Sequence, residues 1–360
     1  MDERERDVLE RIEARRRRSA HRLLDANITL AHGAGGRSTQ ALVEALFLPE
    51  LTNDLLSPLS DSALIELDSG AGRLAFSTDS YVVRPLRFPG GDIAELAVNG
   101  TINDLAVSGA RPLCLSAAFI LEEGLPTAEL ARFAASLGAA AAAAGVPIAT
   151  GDTKVVERGK ADGLYICTSG VGVVGAGLEL SPAAISSGDR VLLSGTIGDH
   201  GMAVLVARGE LELEGAIESD TAPLHELVAG LLATTDGVRC MRDPTRGGLA
   251  TTLNELARSA GLSIVLDEGA LPVRPAVAGA CEILGIDPLY VANEGKLVAI
   301  VAPEATDAAL AAMRAHRFGR DAAVIGEVRS EPPGMVVLET SFGGTRVVDM
   351  LAGDPLPRIC

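Results

Sequence analysis

The chain has no tryptophan, and aromatic side chains make up only 3% of its 360 residues. Stacking platforms for nucleobases are therefore lacking. Positive charge is also short: 31 Lys and Arg stand against 48 Asp and Glu, a net charge of −17. Such a surface repels a phosphate backbone, so no nucleic-acid partner is expected. No apolar run reaches membrane-spanning length; the Ala-rich stretch 134–144 is too short and contains Gly138. The N-terminus is charged and carries no apolar leader, and a soluble cytoplasmic protein without membrane contact is expected. The five cysteines include no CxxC pair and no histidine stands at zinc-finger spacing, so a structural zinc site has no support. Cys114 and Cys167 lie in apolar runs and read as small core residues.

What stands out among the residues present is the end of the chain, Asp354-Pro355-Leu356-Pro357-Arg358-Ile359-Cys360. Five cysteines in 360 residues place one on the final position in about one such chain in 70. A thiol on a proline-stiffened tail is expected outside the core. There it is either an irrelevant frayed end or a carrier that holds a small group, enters a pocket and presents the product elsewhere. Arg358 would favour the reactive thiolate, and the terminal carboxylate opposes it.

A hydrophobic content of 48% with 40 glycines fits a tightly turned α/β protein, and the length makes two domains the natural division. Residues 1–27 alternate acid and base, with Arg15 to Arg18 a basic block, and read as a charged extension. Strands are expected at 63–67, 73–78, 112–121, 147–151 and 164–175, with helices at 93–108 and 126–145. Ser38 or Thr39 is expected to cap a helix running to Phe47. The second half restarts after Ser181-Pro182. It has strands at 190–195, 263–266, 297–301 and 324–328, a closing hairpin around Gly343-Gly344, and helices from Met202 and Thr245. Leu249, Leu253, Leu256, Ala257 and Ala260 share one helical face. The reading is an α+β protein of two layered domains, 28–178 and 179–348, followed by a mobile tail at 349–360.

Gly170-Val171-Gly172-Val173-Val174-Gly175 spells GxGxxG but sits in a β-rich run with no helix after it. It reads as a strand with close backbone packing rather than a dinucleotide loop. A scatter of polar residues at strand ends and turns points elsewhere: Asp61, Asp79, Asn103-Asp104, and Asp152 with Lys154. Hard oxygen ligands on separate loops suit Mg²⁺ bridging nucleotide phosphates, and a nearby Lys suits phosphate charge. Taken singly, each is equally at home as a cap or turn residue. Asp243-Pro244-Thr245-Arg246-Gly247-Gly248 opens a helix whose backbone amides and Arg246 could hold an anion. Glu294, in Asn293-Glu294-Gly295-Lys296, is a candidate general base or an ordinary turn carboxylate.

Together these segments resemble the hydrogenase expression/formation family of carbamoyl dehydratases, the HypE family. The resemblance rests on HGAGGRST, STDSYVVRPLRFPGGDIAELAVNGTINDLAVSGARP, FILEEG, ATGDTKVVERG, DPTRGGLATTLNE, ANEGK and the terminal PRIC, and covers about residues 28–360. It implies a two-domain aminoimidazole-ribonucleotide-synthetase-like fold. The N-terminal domains of a homodimer pair into a β-barrel with ATP near the interface, and a C-terminal α/β layered domain and a flexible tail follow. It implies ATP and Mg²⁺ held by Asp61, Asp79, Asp104 and Asp152, with Asn103 and Lys154 beside them. His32, Gly35 and Gly36 lie in a loop near the phosphates, and Glu294 lies close to the tail. The implied reaction turns an S-carbamoyl group (thiocarbamate) on Cys360 into an S-cyano group (thiocyanate). Glu294 acts as base and Lys154 stabilises the transferring phosphoryl group. A HypF-like carbamoyltransferase loads the thiol, and a HypC–HypD-like scaffold complex receives the cyanide for nickel–iron hydrogenase. About 11 extended residues from Asp349 span roughly 35–40 Å, enough for an inward and an outward pose. The alternatives are a small-molecule ATP enzyme of the same superfamily, selenophosphate synthetase-like or thiamin-phosphate kinase-like, and a non-catalytic scaffold. The glycine loop at 32–36 lacks the reactive cysteine usual in the synthetase.

Overall fold

The computed structural model describes residues 36–47, 53, 54, 58–67, 72–209, 217–351, 356 and 358–360. The extension at 1–27, His32 and Gly35 lie outside them. The N-terminal half comprises α1 (Arg37–Leu42), β1 (Ala63–Glu66), β2 (Arg73–Tyr81), a small ribbon of β3 (Arg87–Phe88) and β4 (Gly91–Asp92), α2 (Ile93–Val107), β5 (Ala110–Glu122), α3 (Thr127–Ala144), β6 (Ile148–Val156) and β7 (Leu164–Val174). Its five strands run in the order β1-β2-β7-β5-β6, antiparallel except for the parallel β5–β6 pair.

Helix α2 holds this half together. Asp92 caps it, its carboxylate accepting from the Ala94 and Glu95 backbone N–H groups at 2.9 and 3.0 Å. Nearly every residue of α2 is buried, because one side lies on the sheet while Ala106 and Val107 reach the core of the second half. Such an enclosed helix is mostly apolar, and its buried polar residues Asn99, Thr101 and Asn103 are hydrogen-bonded. Gly170 of β7 lets α2 approach: a Cβ there would stand 2.8 Å from Leu105 Cδ1. The GxGxxG run is a strand segment packed beneath a helix, as its context predicts.

The second half comprises β8 (Arg190–Leu193), α4 (Asp199–Ala207), α5 (His225–Thr234), β9 (Val238–Arg242), α6 (Gly248–Ala260), β10 (Ser263–Asp267), α7 (Pro275–Leu284), β11 (Val298–Val301), α8 (Thr306–Ala315), β12 (Ala323–Arg329), β13 (Val336–Glu339) and β14 (Thr345–Val348). The seven strands run β14-β13-β10-β12-β8-β11-β9. One face carries α6 through Leu249, Leu253, Leu256 and Ala257; the other carries α5 and α8 through Leu227, Val228, Leu231, Ala309 and Met313. Helices covering both faces bury the central strands completely.

Several expectations shift. Strand β2 runs on to Tyr81 because every residue keeps its partner on β7, so Asp79 lies within the strand rather than after it. Strand β6 continues to Val156 for the same reason against β5, which puts Asp152 and Lys154 inside it. Gly36, not Ser38 or Thr39, occupies the cap of α1. Helix α6 starts at Gly248 rather than Thr245, after Gly247 and Gly248 take positive φ. Cys114 and Cys167 are only half-buried, and the buried thiols are Cys240 and Cys281. Among the described residues no helix is long and apolar enough to cross a membrane.

Candidate active site

The site lies where the two halves meet, and five separate segments bring carboxylates to it. Asp61 precedes β1, Asp104 sits on α2, and Asp243 follows β9. One carboxylate oxygen from each lies within 4.8 Å of the others. Asp61 accepts from the Arg242 guanidinium at 2.5 Å, and Asp104 accepts from the Ser77 hydroxyl of β2 at 2.6 Å. Burial, then the neighbouring carboxylates Asp243, Asp61 and Asp79, push Asp104 well above the ordinary carboxylate range. Asp243 is pushed up to about 8 by burial and then by Asp61. Arg242 offsets only one of these three converging carboxylates, and such a cluster is the donor set a hard divalent cation takes. Asp79 faces the same space and lies 3.6 Å from Arg246.

Glu294 sits in the loop before β11, with 3% of its surface exposed. Asn293 ties this loop to the turn after β9, donating to the Pro244 carbonyl at 2.9 Å. Asp220 accepts from the Glu294 backbone N–H at 3.0 Å and from the Lys296 ammonium at 3.0 Å. Asn103 of α2 donates to the Glu294 carbonyl at 3.1 Å and the Ala222 carbonyl at 3.0 Å, and accepts from the Leu224 N–H at 2.8 Å. Gly295 is required here, since a Cβ would stand 1.7 Å from the Asp220 carbonyl oxygen. The Glu294 backbone is thus fixed from three sides while its side chain stays free to act. Its Oε1 is buried without a hydrogen-bond partner. Burial, then Asp243 and Asp79, raise its carboxyl well above the ordinary range.

Cys360 reaches this carboxyl. The tail does not end in solvent: Leu356 and Ile359 are buried, and the Cys360 thiol lies close to the Glu294 carboxyl. Burial and then the Glu294 charge hold the thiol protonated well above its ordinary range, and Arg246 opposes them. The cation that acts on the thiol is Arg246, because Arg358 is engaged with Asp162.

Of the residues singled out in the sequence, Asp61, Asp79, Asp104, Arg246, Glu294 and Cys360 come together. Asn103 is adjacent, but its amide is occupied by backbone groups. Gly36 stands apart, at the base of the tail, where the next residue donates its backbone N–H to the Leu351 carbonyl at 2.9 Å. Asp152 and Lys154 pair with each other at 2.6 Å on the exposed strand β6. Three strand spacings separate β2 from β6, which puts Asp152 roughly 14 Å from Asp79. Within one chain Asp152 does not reach Asp61 and Asp104, whereas Asp243 stands beside them. Its motif was visible, but as a helix opening.

Two family models match the chain: AIR synthase related protein, N-terminal domain, over residues 59–174, and the C-terminal domain of the same family over residues 186–338. The carbamoyl dehydratase HypE of Bradyrhizobium diazoefficiens is 58% identical over 92% of this chain and 96% of its own length. A solved HypE–HypF complex contains a chain of 45% identity and TM-score 0.82, with 86% of this chain and 100% of that one covered. A hydrogenase maturation protein HypE solved in complex with ATP is 46% identical with TM-score 0.78, covering 93% of this chain and 100% of that one. The chain belongs to the carbamoyl dehydratase HypE family, within the AIR-synthase-related proteins.

Proposed function

We propose that this chain is an ATP-dependent carbamoyl dehydratase acting on its own C-terminus. It would convert an S-carbamoyl group on Cys360 to an S-cyano group and so supply cyanide for the iron of nickel–iron hydrogenase. The observation that carries this reading is the Cys360 thiol seated on the buried Glu294 carboxyl, beside Arg246 and the acidic trio. The carbamoyl oxygen is a poor leaving group until it takes the γ-phosphoryl group of ATP, which leaves ADP. The C–O bond then breaks, the C≡N bond forms and both nitrogen protons depart. Thiocarbamate and ATP thus give thiocyanate, ADP and H₂PO₄⁻. Glu294 is the base: its raised pKa strengthens it, and Oε1 is free to accept a proton.

Asp61, Asp104 and Asp243 would hold Mg²⁺, which supplies positive charge at the nucleotide phosphates. Asp79 and Arg246 would flank that space. In this scheme residues 28–178 bind the nucleotide, 179–348 form the C-terminal domain and 349–360 act as the carrier tail. Strand β6 is exposed on both faces, with Val155 66% exposed, and Phe76 on the far side of the sheet is 41% exposed. Exposed edges of this kind call for cover. A homodimer whose N-terminal sheets close into a barrel would provide it, and would carry Asp152 and Lys154 towards a nucleotide at the interface. A HypF-like carbamoyltransferase would load Cys360, and a HypC–HypD-like scaffold would accept the cyanide in the cytoplasm.

Intact-protein mass spectrometry tests this reading. The protein is incubated with its carbamoyltransferase, carbamoyl phosphate and Mg-ATP beside Cys360→Ala. A carbamoyl adduct that loses one water only with hydrolysable ATP, and never forms on the variant, is expected. With an active transferase, the absence of an adduct on Cys360 would rule out the carrier mechanism in favour of a small-molecule ATP enzyme.

A further inference from the structure

The dehydration chemistry uses only the thiol and its immediate neighbours, yet the structure grips the residues before it by main chain and side chain. His200 of α4 is buried, and its Nε2 lies 2.9 Å from the Ile359 carbonyl oxygen. A carbonyl only accepts, so Nε2 carries the proton and Nδ1 accepts from the Ser219 hydroxyl at 2.8 Å. The Phe88 ring meets the imidazole edge-on, with centroids 5.3 Å apart. Burial lowers the affinity of His200 for a second proton, which keeps this tautomer neutral. One residue back, the Arg358 carbonyl accepts from Arg208 Nη2 at 2.7 Å and from the Arg84 backbone N–H at 3.2 Å. Arg208 also donates from Nε to the Arg84 carbonyl at 2.7 Å. The Arg358 guanidinium pairs with Asp162, whose other oxygen pairs with Arg84 at 3.0 Å. Ile359 is 4% exposed, inside the core that includes α4. Arg358 has φ 56°, a conformation rare for a residue with a side chain, so its surroundings must hold it.

We infer that the junction of the two halves is a peptide-reading site for a C-terminal Arg-Ile-Cys sequence, with Asp162 selecting the arginine and His200 the positioning residue that seats the cysteine. Three features are read at once: a cation at Arg358 by Asp162, an apolar side chain at Ile359, and consecutive main-chain carbonyls by Arg208 and His200. Asp162 and Arg84 belong to the N-terminal half and His200 and Arg208 to the other, so the docked tail straps the halves together. The thiol meets Glu294 only after this recognition. The purpose of the site rests on the dehydratase reading; its existence does not.

The test is the rate at which iodoacetamide alkylates Cys360 in the full-length protein, resolved by peptide mass spectrometry with Cys114 as an internal reference. It needs neither ATP nor a carbamoyl donor, so its failure and that of the dehydratase reading are separate results. Asp162→Ala, Arg358→Ala and His200→Ala are each expected to raise the Cys360 rate about three- to tenfold relative to Cys114, from the loss of one polar contact. His200→Gln keeps an N–H for the Ile359 carbonyl and should retain most of the protection. Asp162→Arg combined with Arg358→Glu should restore it, which a purely structural role for Asp162 would not produce. Asp162 and Arg358 are partly exposed, so these variants test the idea even where His200→Ala misfolds. Unchanged Cys360 rates in Asp162→Ala and Arg358→Ala, or a charge swap that leaves Cys360 as reactive as either single variant, would overturn the inference.

Discussion

Lys296 and Asp220 form an ion pair at 3.0 Å with both side chains nearly out of water, and the other Asp220 oxygen holds the Glu294 backbone. Burial is the largest influence on Asp220 and raises it, but Lys296, the Glu294 backbone N–H and the other groups around it together keep the carboxylate below its ordinary range. Breaking such a pair from one side strands a buried charge, at a cost of about 3–5 kcal/mol. Lys296→Met is therefore expected to lower the melting temperature sharply. Asp220→Asn with Lys296→Met should recover most of that loss, since an amide oxygen at 220 can still accept from the Glu294 N–H. A thermal melt of the two single variants and the double variant decides it: strict additivity would mean that the pair does not couple.

Glu294→Gln removes the base and leaves a group of nearly the same size. The carbamoyl adduct should still form on Cys360, because loading does not require Glu294. Dehydration should slow about 10²–10⁴-fold, the range expected for a positioned acid–base group. Time-resolved intact mass spectra will show the unprocessed adduct accumulating. Loss of water at the wild-type rate would remove Glu294 from the chemistry.

The docked thiol has a predictable dependence on pH. Its proton is held more tightly inside than on a free tail, where a thiol titrates near about 8.5. Stability that comes from a raised pKa is complete below the free value and is lost as pH rises through the docked one. Docking should hold at neutral pH and weaken under alkaline conditions. Alkylation of Cys360 should show an apparent pKa above that of the same thiol in a short peptide. Glu294→Gln should bring it down, because Glu294 is among the groups that raise it.

Much of this arrangement is legible in the chain itself. The apolar spacing of Leu249, Leu253 and Leu256 locates α6 and its buried face, and the Asp-rich motifs locate Asp61 and Asp104. Strand ends are less legible: the strand is expected to stop at Thr78, and only the partner residues on β7 keep Asp79 to Tyr81 extended. The role of Asp220 is invisible locally, because its partners lie 74 and 76 residues away. The docked tail is hidden for the same reason. Nothing in Pro-Arg-Ile-Cys announces that Asp162 and His200 await it.

The acidic trio makes the last prediction. In the metal-free protein Asp243, pushed up to about 8, keeps its proton at neutral pH. A cation bound by Asp61, Asp104 and Asp243 requires that proton to leave. At pH 7 titration with Mg²⁺ should therefore release protons, about 0.9 per site from Asp243 alone for a group titrating one unit higher, with the share of the likewise raised Asp104 added to it. Calorimetry in two buffers of different ionisation enthalpy measures the release directly. The raised folded pKa also means that this group favours the metal-free fold at low pH and penalises it as pH climbs from about 4 through 8. Asp243→Asn removes the Asp243 share of both effects, lessening the pH dependence of melting and the proton release. Binding of Mg²⁺ with no proton released by the wild type would place the cation elsewhere than on Asp243.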